Sequence, residues 1–248
     1  MKRFKTSRKS MPSQTGFSLI EMLIVILLLS IIMGSVFQQV TLIQKRYRSE
    51  ENKLDVFQTA REFIDQMVRD IHQAGFPNKK MYAASTFAGP PEQSDLNAIG
   101  IVEITPTKVR FEGDVDGDGF VDTVAYNLIT NTTAAGNQNC PCLRRSQLRK
   151  ANGTDPFDQI EDYRTQVENV TTDNRTIFTA YDSAGAQVDL GAGLQKTLFN
   201  PSASNYNSDP VNRIWTIQIQ LNVRAAIQEV GLNFRPQVFL TATAQVNN

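Results

Sequence analysis

The residues from Phe17 to Phe37 constrain this chain most, because they form an apolar run with a single charge, Glu21. As a helix, these 21 residues extend about 32 Å, which is enough to cross the apolar core of a bilayer. A carboxylate inside such a segment costs roughly 2.5–3.5 kcal/mol at the membrane centre, and less near an interface. A simple lipid anchor gives no reason to keep Glu21, so we expect this residue to have a function.

Residues 1–16 contain five basic residues and no acidic one. Short flanks rich in Lys and Arg stay on the cytoplasmic side, so the C-terminal bulk of the chain is expected outside. A secretory signal would end in a small-residue cleavage site after its apolar core. Here the small residue, Gly16, comes before that core. Cleavage after Gly16 would therefore remove the basic leader and keep the apolar helix on the mature chain.

The sequence Gly16-Phe-Ser-Leu-Ile-Glu21, followed at once by this apolar run, resembles the processing site of type IV prepilins and type II secretion pseudopilins. The resemblance implies that a prepilin peptidase cleaves after Gly16 and methylates the new terminal amine, which is that of Phe17. It also implies a role in assembly for Glu21, which pairs with the N-terminal amine of a neighbouring subunit. The alternative is a plain signal anchor that matches the motif by chance.

The helical pattern continues beyond the apolar run, with apolar residues at spacings of three, four and seven, which is typical of an amphipathic helix. Gly75, followed by Phe76-Pro77, is a helix-stop signal. We therefore predict one helix from Phe17 to Ala74. It is apolar on all sides over 17–37 and has one apolar face over 38–75. The apolar positions of its second half are Val40, Ile43, Tyr47, Leu54, Phe57, Ile64, Met67, Val68 and Ile71.

After the helix the pattern changes to the period of two that is typical of strands. The clearest strand is Trp215–Val223, in which every odd position is apolar, and 238–246 is its expected partner. The predicted class is α+β, with one antiparallel sheet packed on the outer half of the helix. Other strands are predicted at 99–104, 108–111, 123–128, 167–170 and 176–181, with polar excursions at 129–142 and 150–158.

This architecture is similar to the pilin fold, a long N-terminal helix that carries a β-rich head. Residues 60–76 resemble the helix end of minor pilins of the PilW and GspJ type. The resemblance divides the chain into a cleaved leader at 1–16, a long helix at 17–75 and a periplasmic or extracellular head at 76–248.

The segment 114–122, Asp-Val-Asp-Gly-Asp-Gly-Phe-Val-Asp, places Asp at positions one, three, five and nine and Gly at six, as in the first part of a calcium loop. It is not an EF-hand, because position twelve is Ala125 and the flanks are predicted strands. Two interpretations stay open, a hairpin loop that binds Ca²⁺ and a solvated Asp-Gly turn. The candidate ligands are the carboxylates of Asp114, Asp116, Asp118 and Asp122 and the carbonyl of Phe120.

Cys140 and Cys142, the two cysteines, are separated by one proline. In the expected oxidising compartment they could form a local disulfide, stay as free thiols or bond between chains. The local disulfide is favoured over free thiols. A metal role is disfavoured because the single histidine, His72, lies on the predicted helix.

A basic cluster follows the cysteines, and it could contact DNA or an acidic neighbouring subunit, or be a solvated strand edge, which is the favoured interpretation. Its members are Arg144, Arg145, Arg149 and Lys150.

Charge and motifs restrict the function. Without the leader, 20 basic and 25 acidic residues leave a charge of −5, which argues against a general nucleic-acid binder. No nucleophile elbow, phosphate-binding loop, HExxH or Rossmann fingerprint is present, so an enzyme is not expected.

The resemblance implies a minor pilin of the PilW type that acts in pilus assembly. It is a single-pass protein of the inner membrane that later reaches the pilus and the cell surface. Its implied partners are other pilins in a helix bundle, prepilin peptidase and the inner-membrane assembly platform. The alternatives are a GspJ-like pseudopilin of type II secretion and a membrane-anchored, calcium-dependent adhesin that does not polymerise.

Overall fold

The structure is a computed structural model that describes residues 16–133, 140–171, 176–200, 203–225 and 235–246. The chain forms two compact units, one that ends at Arg48 and one that begins at Ser49. The border between them lies within one continuous helix, α1 (Leu19–His72). The predicted helix is therefore confirmed to within two residues at each end. The second compact unit thus begins within the helix, at Ser49, and the first strand follows only at Gly100.

Ten strands follow in the described part of the second unit. They form two antiparallel sheets, one in the order β5-β4-β3-β2-β1-β8 and one in the order β10-β9-β6-β7. The strands are β1 (Gly100–Ile104), β2 (Lys108–Gly113), β3 (Asp122–Ile129), β4 (Cys142–Arg149), β5 (Arg164–Val167), β6 (Phe178–Asp182), β7 (Gln187–Val188), β8 (Leu194–Gln195), β9 (Ile214–Arg224) and β10 (Gln237–Gln245).

The class α+β is confirmed, but the prediction of a single sheet is wrong. β6 pairs with β9 rather than with the preceding strand β5, so a second sheet starts in the middle of the chain. The excursion at 150–158 is confirmed as irregular, whereas β4 begins inside the predicted excursion 129–142, of which residues 134–139 lie outside the described part. The strand expected at 167–170 ends at Val167 instead, with a single bridge from Val170 to Val223.

One hydrophobic core joins the end of α1 with both sheets. Of the predicted apolar face of the helix, Ile64, Met67 and Ile71 are buried, whereas Leu54 is 60% exposed. The apolar face is thus confirmed over the last part of the helix, where the strands cover it. Alternate apolar residues of the strands, such as Val109 and Phe111 in β2, supply the opposite side of the core.

The main chain ties the end of the helix directly to β2. The N–H of Gly75 donates to the carbonyl of Glu112 (2.9 Å). Next to this bond, Gly113 lies so close to the carbonyl of Gln73 that a Cβ atom would clash with it. Glycine is therefore required at position 113 because the helix end and the strand approach each other backbone to backbone.

The predicted pairing of β9 with β10 is confirmed over nine consecutive residue pairs, from Arg224–Gln237 to Thr216–Gln245. Trp215 departs from the predicted alternation. The register between β6 and β9 shifts there, so that Ile214 is buried and Trp215 is 49% exposed. An extra residue of this kind is a β-bulge, which turns the affected side chain to the other face.

Candidate functional site

The predicted processing residues lie directly before helix α1. Gly16 and Phe17 are exposed and precede the helix. The carbonyl of Ser18 accepts hydrogen bonds from the N–H groups of Glu21 (3.0 Å) and Met22 (3.2 Å), which starts the helix. Glu21 therefore lies in the first turn, where the helix dipole favours a carboxylate. The predicted cleavage position thus lies in non-helical chain directly before α1.

The first part of α1 presents apolar side chains that are exposed in the structure. Its most apolar stretch has a mean hydropathy of 2.7, and by length and composition the helix can cross a membrane. The hydroxyls of Ser30, Ser35 and Thr41 each donate to a carbonyl of the preceding turn at 2.7–2.8 Å. Such bonds satisfy the hydroxyls where water is absent. This part of the chain fits membrane anchoring.

The acidic loop joins β2 to β3 and brings three of the predicted ligands together. Carboxylate oxygens of Asp114, Asp116 and Asp118 lie within 4.8 Å of one another. Gly117 and Gly119 have φ angles of 77° and 86°, which non-glycine residues rarely adopt. The two glycines therefore produce the sharp turn that directs these carboxylates to one place.

The same carboxylates also bind the main chain of the loop. Asp114 accepts from the N–H groups of Gly117 (2.8 Å) and Gly119 (3.1 Å), and Asp118 accepts from that of Phe120 (2.8 Å). Hydrogen bonds of this type fix the loop without any ion. Carboxylate oxygens that converge in this way are also the ligands that a hard cation requires.

Asp122 lies at the start of β3, outside this group of three. Its Oδ2 accepts from the amide of Gln147 (2.7 Å). Burial, together with the charges of Asp116, Asp118 and Asp114, raises its pKa from 3.8 to about 6. Because the folded-state pKa is the higher one, Asp122 favours the folded state at acidic pH, and this contribution is lost as the pH rises through about 6.

Cys140 and Cys142 are joined by a disulfide, and the described residues contain no free cysteine. Cys142 is the first residue of β4 and is fully buried. The disulfide therefore lies at the start of β4, an interior strand of the six-stranded sheet.

The basic cluster is not a solvated strand edge, so that prediction is wrong. β4 lies between β3 and β5, and its basic residues meet acids from other elements. Arg149 pairs with Asp95 at 2.7 Å, and the guanidinium also lies 3.4 Å from the centre of the Phe120 ring. Lys150, only 1% exposed, pairs with Glu112 at 2.6 Å. Acids balance the charges of Arg145, Arg149 and Lys150, so these three residues do not form a free basic surface.

The acidic partners of this cluster were missed by sequence reasoning. Asp70, in the last turn of α1, accepts from the hydroxyl of Tyr126 (2.6 Å) and from Nε (2.9 Å) and Nη2 (2.7 Å) of Arg145. Burial and the Asp70 charge raise the pKa of Tyr126 well above its usual value. The one available signal was the spacing, because Asp70 follows Met67 by three residues and so lies on the apolar face.

A second buried charge network lies beside β2. Oε2 of Glu112 accepts from Nζ of Lys150 (2.6 Å) and from the N–H of Ile99 (3.3 Å). Lys150 Nζ also donates to the carbonyl of Asn97 (3.0 Å), and Lys196 Nζ donates to that of Ile99. Burial raises the pKa of Glu112, against the opposing effect of Lys150, and lowers that of Lys196 to about 8. The network links three connecting segments, those with Ile99, Lys150 and Lys196, to β2.

Comparison with known proteins adds one match. Residues 11–37 match the family described as the prokaryotic N-terminal methylation motif. No curated protein and no solved structure matches the chain. Proteins with this motif are structural rather than enzymatic, are processed by prepilin peptidase and assemble with other pilins. Together with the long apolar helix and the antiparallel sheets, the motif supports a type IV pilin-like protein.

Proposed function

We propose that the protein is a minor pilin that acts in assembly of a type IV pilus, in filament priming or in a tip complex. The observation that carries the proposal is the methylation motif, followed directly by an apolar helix with Glu21 in its first turn. The precursor is anchored in the inner membrane with its β-rich unit on the periplasmic side. Cleavage after Gly16 frees the amine of Phe17, and the helix then leaves lipid for a bundle of similar helices.

Glu21 selects the position of the subunit in that bundle. Transfer of an apolar helix from lipid to protein gains little hydrophobic free energy, so packing and polar pairing must choose the partner. The carboxylate pairs with the N-terminal amine of a neighbouring subunit. Either charge alone in apolar surroundings is heavily penalised, so the pairing fixes the axial register between subunits.

The alternative is a GspJ-like pseudopilin of a type II secretion system, which shares the leader and the helix. We favour the pilus because of the polar loops and the acidic loop of the second unit. Neighbouring genes for pilus minor subunits, rather than for secretion components, would separate the two alternatives.

Processing is tested by mass spectrometry of the mature N-terminus in cells that have an active prepilin peptidase. We expect a terminal peptide that begins at methylated Phe17. A mature protein that keeps residues 1–16 in these cells would contradict the proposal.

We predict that Glu21→Ala leaves membrane insertion and processing intact but lowers incorporation into sheared fibres at least about tenfold. An unpaired amine in the bundle costs several kcal/mol, and each 1.4 kcal/mol corresponds to roughly a factor of ten. The measurement is the ratio of the subunit in fibres to that in the membrane. Glu51→Ala, which changes an exposed acid on the same helix, is the matched control. Equal incorporation of both variants would remove the assembly role of Glu21.

We also propose that the acidic loop binds Ca²⁺ with the weak affinity of extracellular sites. Three convergent carboxylates support this proposal, with Asp122 and the Phe120 carbonyl as further candidate ligands. Binding at a surface loop would suit a subunit, or a membrane-anchored adhesin, that meets external calcium. Copurification with sheared fibres separates the subunit from a tethered adhesin.

For the full mature chain in detergent, we predict that about 10 mM Ca²⁺ raises the melting temperature by roughly 3–10 °C, as linkage gives for a Kd near 0.1–1 mM. Mg²⁺ should have a smaller effect. The double variant Asp116→Asn/Asp118→Asn should lose the response, and the exposed Asp158→Asn should keep it. No shift in the wild-type chain would exclude the calcium site.

A further inference from the structure

Trp215, the single tryptophan of the chain, points away from the core of the four-stranded sheet. Its neighbours Ile214 and Ile217 are buried, whereas the Trp215 side chain is 49% exposed. The bulge between β6 and β9 at this position turns the indole outwards. Bulges interrupt the ladder, and proteins often use them to re-aim a side chain. The exposed indole therefore calls for an explanation other than packing of the core.

Polar side chains lie beside Trp215 in two rows that cross the sheet. Directly opposed residues of neighbouring strands share a face, so the register of β6, β9 and β10 defines these rows. Every member carries a hydroxyl or an amide group, and every member is exposed or half-buried. We call this surface the Trp215 face. Besides Trp215 it consists of Tyr181, Thr216 and Gln245 in one row and of Thr179, Gln218 and Thr243 in the other.

Hydrogen bonds within the sheet fix the orientation of Gln218 at the centre of the Trp215 face. Its Oε1 accepts from the hydroxyl of Tyr181 (3.2 Å) and from Nε2 of Gln220 (3.2 Å). No described residue accepts a hydrogen bond from Nε2 of Gln218, so this donor is left for a ligand. A side chain that is oriented before binding loses less conformational entropy when the ligand arrives.

The strands that form the Trp215 face carry little charge. β6, β9 and β10 contain two charged residues, Asp182 and Arg224. Oδ1 of Asp182 accepts from the N–H groups of Ala184 and Ala186, both at 2.9 Å, so the turn after β6 uses this carboxylate. Arg224 ends β9, roughly 26 Å along the strand from Thr216. The face therefore offers no opposite charge to an acidic or a basic polymer, and its chemistry favours a neutral ligand.

The outer face of the six-stranded sheet is different because the chain itself covers it. Arg110 of β2 donates to the carbonyls of Phe157 (3.0 Å) and Gln159 (3.3 Å). The hydroxyl of Ser146 in β4 accepts from the N–H of Asp162 (2.8 Å). The connection between β4 and β5 thus lies across that sheet and occupies its polar groups. Among the described residues, no connection is bonded across the Trp215 face in this way.

We infer that the Trp215 face binds a neutral polysaccharide chain. Sugar hydroxyls both donate and accept hydrogen bonds, and so do the amides and hydroxyls of the two rows. The C–H groups of a pyranose ring form an apolar face that stacks on an indole, whose N–H is a further donor. A nucleic acid would need a basic surface and a bilayer a continuous apolar one, and the rows supply neither. The inference uses only the second unit and does not depend on the proposed pilus function.

Tryptophan fluorescence tests the contact directly, because Trp215 is the single tryptophan of the chain. The full mature chain, in a detergent without sugar head groups, is titrated with dextran, mannan, laminarin and chitin oligosaccharides. We expect at least one of these neutral probes to shift the emission to shorter wavelength and to reduce its quenching by acrylamide. The anionic polysaccharide alginate should do neither. No response to any neutral probe, or an equal response to alginate, would overturn the inference.

Variants locate the contact by affinity electrophoresis in gels that contain the responding polysaccharide. Trp215→Ala should bind at least about tenfold more weakly, as for loss of a central aromatic contact. Ile160→Ala is the matched control, because it removes an exposed apolar side chain from the β4–β5 connection and should bind like the wild type.

Gln218→Leu provides a second test that keeps the tryptophan. It removes the oriented amide, so the fluorescence response of the folded variant should need a higher polysaccharide concentration than that of the wild type. Melting temperatures confirm that each variant is folded. Unchanged binding by folded Trp215→Ala or Gln218→Leu chains, or equal weakening in Ile160→Ala, would overturn the inference.

Discussion

Replacement of Lys150 by Met should lower the free energy of unfolding of the mature chain by about 3–5 kcal/mol, the usual cost of breaking a buried ion pair. The reason is that Glu112 and Lys150 are both fully buried and 2.6 Å apart. Without the ammonium, Glu112 keeps only the N–H of Ile99 within hydrogen-bonding distance, and its Oε1 already has no partner among the described residues. Urea denaturation in detergent measures the change, which corresponds to roughly 6–20 °C in melting temperature.

The pH dependence of this variant identifies Glu112 as the cause. Burial without Lys150 raises the pKa of Glu112 further, so the folded variant binds a proton more strongly than the unfolded chain. That contribution is present at acidic pH and is lost as the pH rises, so the deficit relative to the wild type should grow between pH 5 and pH 7.5.

Two comparisons check that result. The double variant Glu112→Gln/Lys150→Met removes the uncompensated charge and should recover part of the loss. Lys53→Met is the matched control, because its pair with Glu50 is long (3.9 Å) and solvated, and its loss should stay below about 1 kcal/mol. A pH-independent deficit, or equal losses in the single and the double variant, would mean that Lys150 acts through packing rather than charge.

Asp70→Ala should lower the free energy of unfolding by about 3 kcal/mol, because it leaves the Tyr126 hydroxyl and the Arg145 guanidinium in the core without their shared acceptor. Asp70 lies near the C-terminus of α1, where the helix dipole disfavours a carboxylate. The hydrogen bonds from Tyr126 and Arg145 therefore stabilise the Asp70 carboxylate at this position. Asp70→Asn keeps an acceptor and should cost less.

Hydrogen exchange shows where this loss acts. The Asp70 contacts join the end of α1 to β3 and β4. In Asp70→Ala, the hydrogen-exchange rates of residues 60–72 should therefore increase more, relative to the wild type, than those of β9 and β10. Asp65→Ala, an exposed position on the same helix, is the control and should change neither exchange nor stability measurably. Uniformly faster exchange across the unit would show that the contact supports the whole fold rather than the helix end.

Local signals were sufficient for the helix and for the longest strand pair. Helix ends at Leu19 and His72 agree with a prediction made from apolar spacing and from the stop signal at Gly75, because both depend on neighbouring residues. The same holds for β9, whose alternation identifies its buried face. The exposure of Trp215 was not predicted, because the bulge depends on the register between β9 and β6, and the sequence of β9 alone does not contain that register.

The charge networks and the second sheet depend on contacts between distant parts of the chain. Arg145 and Asp70 are 75 residues apart, and Lys150 and Glu112 are 38 apart. Arg144-Arg145 and Arg149-Lys150 suggest a solvated surface when they are considered in sequence alone. Only the tertiary fold brings acids to Arg145, Arg149 and Lys150. In the acidic loop, spacing correctly grouped Asp114, Asp116 and Asp118, but the bond to Gln147 that holds Asp122 apart lies across a strand pair.

The backbone contact between the helix end and β2 has a mechanical consequence. Gly113 fits against Gln73, and the Gly75–Glu112 bond lies beside it, so part of a force that pulls along α1 reaches the six-stranded sheet at β2. This strand lies in the interior, between β1 and β3. Ladders on both of its sides therefore share the load, whereas an edge strand has a ladder on one side only. The attachment point is thus suited to a chain that must withstand tension through its helix.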